Sequence, residues 1–255
     1  MKDKKLPSLP KATEEHTIPP FRMENPRKQA IWVSAVVLLV LVVDQCVKIW
    51  IKTHMALGDE IRVFDWFRIL FVENIGMAFG VELGSKLFLS LFRIIAMGLI
   101  AWGIVVLIKS RHFPLGFLIC MALVFSGGIG NVLDSMFYGM IFSDSNGQIA
   151  TLFPPDGGYG SFLHGKVVDM LYFPLIDTVW PSWMPFVGGK RFTFFDPVFN
   201  IADSCISVGV VLLLVFYTRT FTEAIEYFSN PRIRKATKEI NRERLGNTPK
   251  DESEQ

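Results

Sequence analysis

The sequence predicts a membrane α-helical protein: four transmembrane helices with a small extracytoplasmic β-sheet and long extracytoplasmic insertions. Three observations carry this. The 255-residue chain is 51% hydrophobic and holds 23 Phe, too apolar for an ordinary soluble domain. Its apolar residues gather into runs close to the ~20 residues that cross a bilayer. Its basic residues collect at both ends and in one short middle loop, which assigns those segments to the cytoplasmic side. The net charge of +2 says little by itself.

Residues 1–28 are polar, Pro-dotted and basic, and read as a disordered cytoplasmic tail. A four-helix transmembrane domain follows over 29–218, and a basic cytoplasmic tail over 219–255. The first span covers about Ala30–Ile51 and carries Asp44 and Lys48, four apart and so on one helix face. From 53 to 84 charges interrupt the apolar pattern, and Ile61–Phe64 and Phe67–Val72 read as short strands of an outer sheet. Asn74–Gly80 is turn-rich. The second span, about Lys86–Ile108, contains Arg93, and Lys109–Pro114 is the basic middle loop. The third runs from Leu115 into a Gly-Gly-Ile-Gly stretch (127–130), whose small residues permit close helix packing in lipid. Residues 138–196 form a long outer segment rich in Trp and Phe, interrupted by Pro154-Pro155-Asp156-Gly157-Gly158. The fourth span covers about Val198–Tyr217. Cys46, Cys120 and Cys205 all fall within apolar runs and read as small core residues.

Asn131-Val132-Leu133-Asp134-Ser135 and Asn200-Ile201-Ala202-Asp203-Ser204 echo one another at the ends of two spans. Ionisable groups at such positions are costly in lipid and point to function. Asp44, Asp134, Asp169 and Asp203, with Asn74, Asn131 and Asn200, all map to the outer face. No zinc-protease, phosphate-loop or serine-hydrolase motif is present, and the four His are scattered. The economical chemistry is a pair of carboxylates sharing one proton, one activating water and the other acting as acid. The echo nominates Asp134 with Asp203, but spacing does not decide between Asp134 and Asp169 as partner. A proton-coupled transporter would instead place such groups near the midplane. A helix-assembly protein would use them only as polar glue.

Five motifs in order, Asp44–Lys48, Asn74–Gly80, Gly128–Asp134, Val167-Val168-Asp169 and Phe199–Ser204, resemble bacterial signal peptidase II over roughly residues 30–218. The resemblance implies an intramembrane aspartic endopeptidase of the inner membrane. Such an enzyme has both termini in the cytoplasm and its active site facing outward, and it needs no metal or cofactor. It implies diacylglyceryl-modified prolipoproteins as substrates, cleaved on the amino side of the lipidated Cys. It also implies contact with membrane lipid, inhibition by globomycin-type cyclic peptides, and no nucleic-acid partner. The implied dyad is Asp169 and Asp203, so that Asp134 becomes a supporting residue. Asp44, Lys48, Asn74, Gly76, Ala78, Phe79, Gly128, Asn131, Phe199, Asn200 and Ala202 fall at substrate-binding or supporting positions. The family usually carries an Arg directly after the Asp of the third motif. Here that position is Ser135, leaving Arg93, Lys166 or Arg191 to supply a cation. The extra residues around 138–165 and 177–191 are expected to be outer elaborations, the first a candidate lid.

Overall fold

A computed structural model describes residues 24–75 and 86–246 in full, and 77–78 and 81–82 as strand backbone. Residues 1–23 of the expected N-terminal tail, Gly76, the Ala78 side chain, Phe79 and residues 247–255 lie outside this description.

Helix α1 (Pro26–His54) begins earlier than hydropathy indicates. Asn25 caps it, its side-chain oxygen accepting the backbone N–H of Arg27 at 3.0 Å, and Pro26 takes the first helical position. It is followed by α2 (Lys86–Ser110) and α3 (Leu115–Leu133). α3 continues through a π-helical turn (Asp134–Tyr138) into one further turn, α4 (Gly139–Ile141). Next come α5 (Ile201–Phe216), α6 (Thr218–Ser229) and α7 (Pro231–Gly246). Pro26–His54, Lys86–Ser110 and Leu115–Ile141 are long and apolar enough to cross a membrane. α5 bends by 94° into α6 and makes a fourth span if the bent pair is counted as one.

Burial in α1 is inverted relative to a soluble helix. Ile31, Leu38, Leu39 and Val42 face outward, while Gln29, Asp44, Lys48 and Lys52 are buried. That is the arrangement lipid requires, because a charge can be satisfied only inside the bundle. α3 packs against α1, α2 and α5. A Cβ at Gly127 would run into the Ala202 carbonyl of α5, and one at Gly130 would lie 2.7 Å from Asp44 Oδ2. Gly128 gives the same close approach to Met97 of α2. These glycines therefore set how near the other helices, and the polar groups on them, come to α3.

Strands β1 (Glu60–Phe64) and β2 (Phe67–Asn74) form where alternation predicts them. The short strands β3 (Met77–Ala78) and β4 (Val81–Glu82) pair with each other. Strand β5 (Val167–Tyr172) leads into a hairpin of β6 (Ile176–Val179) and β7 (Arg191–Phe194), and β8 is Val198–Phe199. The main sheet is antiparallel in the order β1-β2-β5-β8.

Two expectations, the start of the last helix and the burial of Cys46, need correction. The last helix starts at Ile201 rather than Val198, because Val198 and Phe199 pair with Tyr172 and Leu171 of β5. The described residues of the basic C-terminal segment form the regular helices α6 and α7. Cys46 is exposed on the outward face of α1, so only Cys120 is a buried thiol. The segment after α4, the candidate lid, is held by long-range backbone bonds. Leu57 donates its N–H to Ser145, Ala56 bridges Ile149, and Gly160 N–H bonds the Gly139 carbonyl. Those bonds tie it to the end of α1 and to α4.

Candidate active site

Antiparallel pairing assembles the site. Asp169 lies on β5 opposite Val72 of β2, and Leu171 two residues later pairs with Phe199 of β8. The chain then turns at Asn200 into α5. Asn200 is the N-cap of that helix, accepting the backbone N–H of Asp203 at 2.8 Å. Asp203 accepts the Asn200 N–H in return at 3.4 Å, completing a capping box with Asp in place of Glu. The second echo is thus a helix start, and its spacing of three is what a cap needs.

The Asn200 side-chain amide makes three further bonds. It donates to Asp169 Oδ1 at 2.7 Å, to Asn131 Oδ1 at 3.1 Å and to the Val168 carbonyl at 3.3 Å. Asn131 in turn donates to Asp203 Oδ1 at 2.7 Å. One fully buried asparagine therefore touches Asp169 directly and Asp203 through its own backbone and through Asn131. The two echoed motifs do meet, but asparagine to asparagine and Asn131 to Asp203, not Asp134 to Asp203.

Asp134 is fully buried and committed elsewhere. It pairs with Lys48 Nζ at 2.8 Å, accepts Gln45 Nε2 at 2.9 Å and accepts the Val168 N–H at 3.4 Å. Lys48, also fully buried, pairs with Asp44 at 2.9 Å and donates to Asn131 Oδ1 at 3.0 Å. Asp44 accepts the Ala202 N–H at 3.0 Å, satisfying one of the open donors at the start of α5. A lysine on α1 thus holds α3 in place, and its carboxylate partner holds α5. The π-turn beginning at Asp134 occurs at this junction, a common position for such turns.

Asp169 is only 3% exposed. Burial, with the nearby charge of Asp203, pushes its carboxyl up to about 7, against hydrogen bonds from Asn74 and Asn200 that favour the ionised form. The raised value means that the native state binds more protons here than the unfolded chain. The stability linked to Asp169 is therefore greatest below the ordinary carboxylate range, and declines as pH rises toward about 7. Removing the Asn74 bond should raise the Asp169 value further. Asn74→Ala is accordingly expected to move the alkaline limb of a kcat/KM profile to higher pH; an unmoved limb would show that this bond does not tune Asp169.

Sequence reasoning missed several members. Gln45 is one: it also donates to the Gly130 carbonyl at 3.3 Å and accepts the Tyr138 hydroxyl at 3.1 Å. The second is Lys52, which extends the stripe of Asp44 and Lys48 by another four residues and could have been read from that spacing. Lys52 pairs with Glu73 and donates to Ser145 Oγ at 2.7 Å. Lys166 joins Glu73 from the other side at 2.7 Å. Burial would raise the Glu73 value, but the hydrogen bonds from Lys166 and Lys52 outweigh it and hold the carboxyl below its usual range.

These contacts bear on Ser135, which is buried and donates to the Asn131 carbonyl at 2.9 Å. Lys166 is engaged by Glu73, and Arg191 by Asp177 at 2.6 Å. Arg93 instead lines a cleft with Asn74, Ile75, Ser90, Ser135 and Val167. Among the described residues no carboxylate lies within ion-pair distance of it. Phe199 stacks on Phe173 with ring centroids 5.6 Å apart. Among the described residues no group of three or more His, Cys, Asp or Glu side chains is placed to hold a metal ion.

The family model described as signal peptidase (SPase) II matches residues 36–219. A lipoprotein signal peptidase of Porphyromonas gingivalis is 62% identical over 188 residues, which is 74% of this chain and 83% of that protein. One from Amoebophilus asiaticus is 35% identical over 186 residues, covering 71% of this chain and 75% of that protein. One from Chlorobium phaeobacteroides (strain BS1) is 31% identical over 187 residues, covering 72% and 94%. A solved bacterial membrane enzyme shares the fold, with a TM-score of 0.50 at 21% identity over 83% of this chain and 96% of the other. The chain belongs to the signal peptidase II family and is a membrane-spanning protease.

Proposed function

We propose that this protease removes the signal peptide from diacylglyceryl-modified prolipoproteins, cutting on the amino side of the lipidated Cys with Asp169 and Asp203 as its dyad. The observation that carries this reading is Asn200, whose side-chain amide donates to Asp169 while its backbone N–H and Asn131 donate to the Asp203 carboxylate. Asp203 takes a proton from water as the oxygen attacks the scissile carbonyl carbon, and Asp169 protonates the carbonyl oxygen. As the diol collapses, Asp203 returns its proton to the amide nitrogen and Asp169 recovers one from a diol hydroxyl. The C–N bond breaks and the dyad is restored, with titration belonging to the pair. Asp44, Lys48, Gly128, Asp134 and Ala202 support this constellation. Asn74, Asn131, Phe199 and Asn200, with Gly76, Ala78 and Phe79, fall where substrate is bound.

The peptidase unit spans 29–218, the main sheet faces the outer side of the inner membrane, and both termini face the cytoplasm. The basic residues of the tails and of Lys109–Arg111 support that orientation. Globomycin-type cyclic peptides are expected to inhibit. The test is a gel-shift assay of purified protein with a prolipoprotein in lipidated and unlipidated form. Cleavage of the lipidated form alone, leaving an amino-terminal modified Cys, is expected; an intact lipidated substrate with folded protein would reject the reading.

Two cations line the cleft, and since Lys86 donates to the His164 carbonyl, Arg93 is the one left to bind substrate carbonyl oxygens. A hydrogen bond to a charged group contributes ~1.5–3 kcal/mol, so Arg93→Gln should raise KM by roughly 10- to 100-fold. Arg93→Lys should recover part of that loss. A change in kcat alone would remove Arg93 from substrate binding.

A further inference from the structure

The hairpin over residues 175–195 takes no part in the chemistry above, yet its two ends are the two segments that carry the dyad. It leaves from the end of β5 and returns into β8 and α5. Its register sorts the side chains by face. Asp177, paired with Thr193, lies on one side with Arg191, where the two form an ion pair extended by Arg68 of β2 at 3.2 Å. Ile176 opposite Phe194, and Thr178 opposite Phe192, lie on the other, and Trp180 packs on Phe192 at 5.0 Å between ring centroids. The ribbon is therefore amphipathic, and Ile176 and Phe194 on its apolar face are exposed.

The tip continues this pattern. Its shape is held by its own backbone bonds: Gly189 N–H to the Trp180 carbonyl, Gly188 N–H to Met184 and Lys190 N–H to Val187, each 3.0 Å. Phe186 sits in the left-handed region at φ 68°, costly for a bulky residue, with its ring 95% exposed, and Trp183 is 78% exposed. A loop built to display two large apolar rings needs something apolar against them.

The depth of the hairpin indicates what that is. α5 has 16 residues, about 24 Å of helix, against ~30 Å of hydrocarbon. It ends where the chain bends by 94° into α6. A span this short brings the Phe195–Asn200 stretch that precedes it close to the membrane boundary rather than far beyond it. The hairpin is tethered there by only a few residues.

We propose that the 175–195 hairpin is an interfacial anchor, whose Ile176/Phe192/Phe194 face and Trp183–Phe186 tip lie in lipid at the headgroup–acyl boundary beside the dyad. Trp and Phe suit that boundary, and exposed Lys190 suits anionic headgroups. This rests on the membrane-spanning reading and not on the dyad. The test compares wild type with Trp183→Phe in phosphatidylethanolamine–phosphatidylglycerol vesicles. The difference in emission isolates Trp183. Phospholipid brominated near the headgroup end of its chains should quench that emission by more than half, and aqueous iodide should leave it nearly unchanged. Quenching by iodide but not by bromolipid overturns the proposal. So does protection from both, which would place a second copy of the chain or a bound substrate over the tip. Moving the reporter with Phe186→Trp in the Trp183→Phe background repeats the measurement at the other ring, and cleavage measured alongside keeps failure here distinct from failure of the protease reading.

Discussion

Asp169→Asn and Asp203→Asn are each expected to abolish measurable cleavage while leaving the protein folded. A positioned acid or base contributes roughly 10²–10⁴-fold, and each of these carboxyls serves as both in one turnover. The geometry accommodates both substitutions. The Asn200 side chain still accepts the backbone N–H of residue 203, so the α5 cap survives Asp203→Asn. At position 169 an amide oxygen can still accept from Asn200, which donates to Oδ1 at 2.7 Å. Monodispersity and thermal unfolding in detergent would establish folding, and single-turnover processing of a lipidated prolipoprotein would read the chemistry. Asp134→Asn is the comparison that matters. Its oxygens are occupied by Lys48, Gln45 and the Val168 N–H, so its loss should appear first in stability. If Asp134→Asn is dead while folded and Asp169→Asn still cleaves, the dyad is misassigned.

The second large effect is expected at Lys48. Lys48→Met keeps the apolar stem but removes the cation that Asp44 and Asp134 share, leaving two buried carboxylates without their partner. Breaking a buried ion pair in this way costs about 3–5 kcal/mol. Activity per folded molecule should fall as well, because Lys48 also donates to Asn131, which positions Asp203. Thermal unfolding measures the first effect and cleavage below the transition the second. Adding Asp44→Asn and Asp134→Asn to Lys48→Met should recover part of the lost stability without restoring activity. Equal stability of Lys48→Met and wild type would mean that the cluster does not hold the bundle together.

Much of the architecture was legible because lipid leaves few choices. Apolar runs of the right length must be helices, so the spacing of four put Asp44 and Lys48 on one helix face, and the fold then buries that face. β1 and β2 followed from alternation and intervening charges. Local pattern failed where long-range pairing overrode it. Val198 and Phe199 look like the start of a span but are claimed by β5, and that claim moves the helix start to Ile201. The segment 142–160 looks like a free loop, yet its groups are bonded to the end of α1 and to α4.

The partner of Asp203 marks the boundary most clearly. From the sequence alone came the class of protein, the end of the bundle where its carboxylates gather, and the list of groups from which a dyad could be drawn. The Asn-x-x-Asp echo could not rank them, because a cap at the start of α5 and a cross-helix donor on α3 share the same spacing. Only the tertiary structure, through the β5–β8 register and the close packing of α3 on α5, set Asn200 between Asp169 and Asn131 and gave Asp134 to Lys48. Spacing along a chain determines which residues share a face. Which face then meets which is decided by contacts between segments tens of residues apart, whose energies no local window contains.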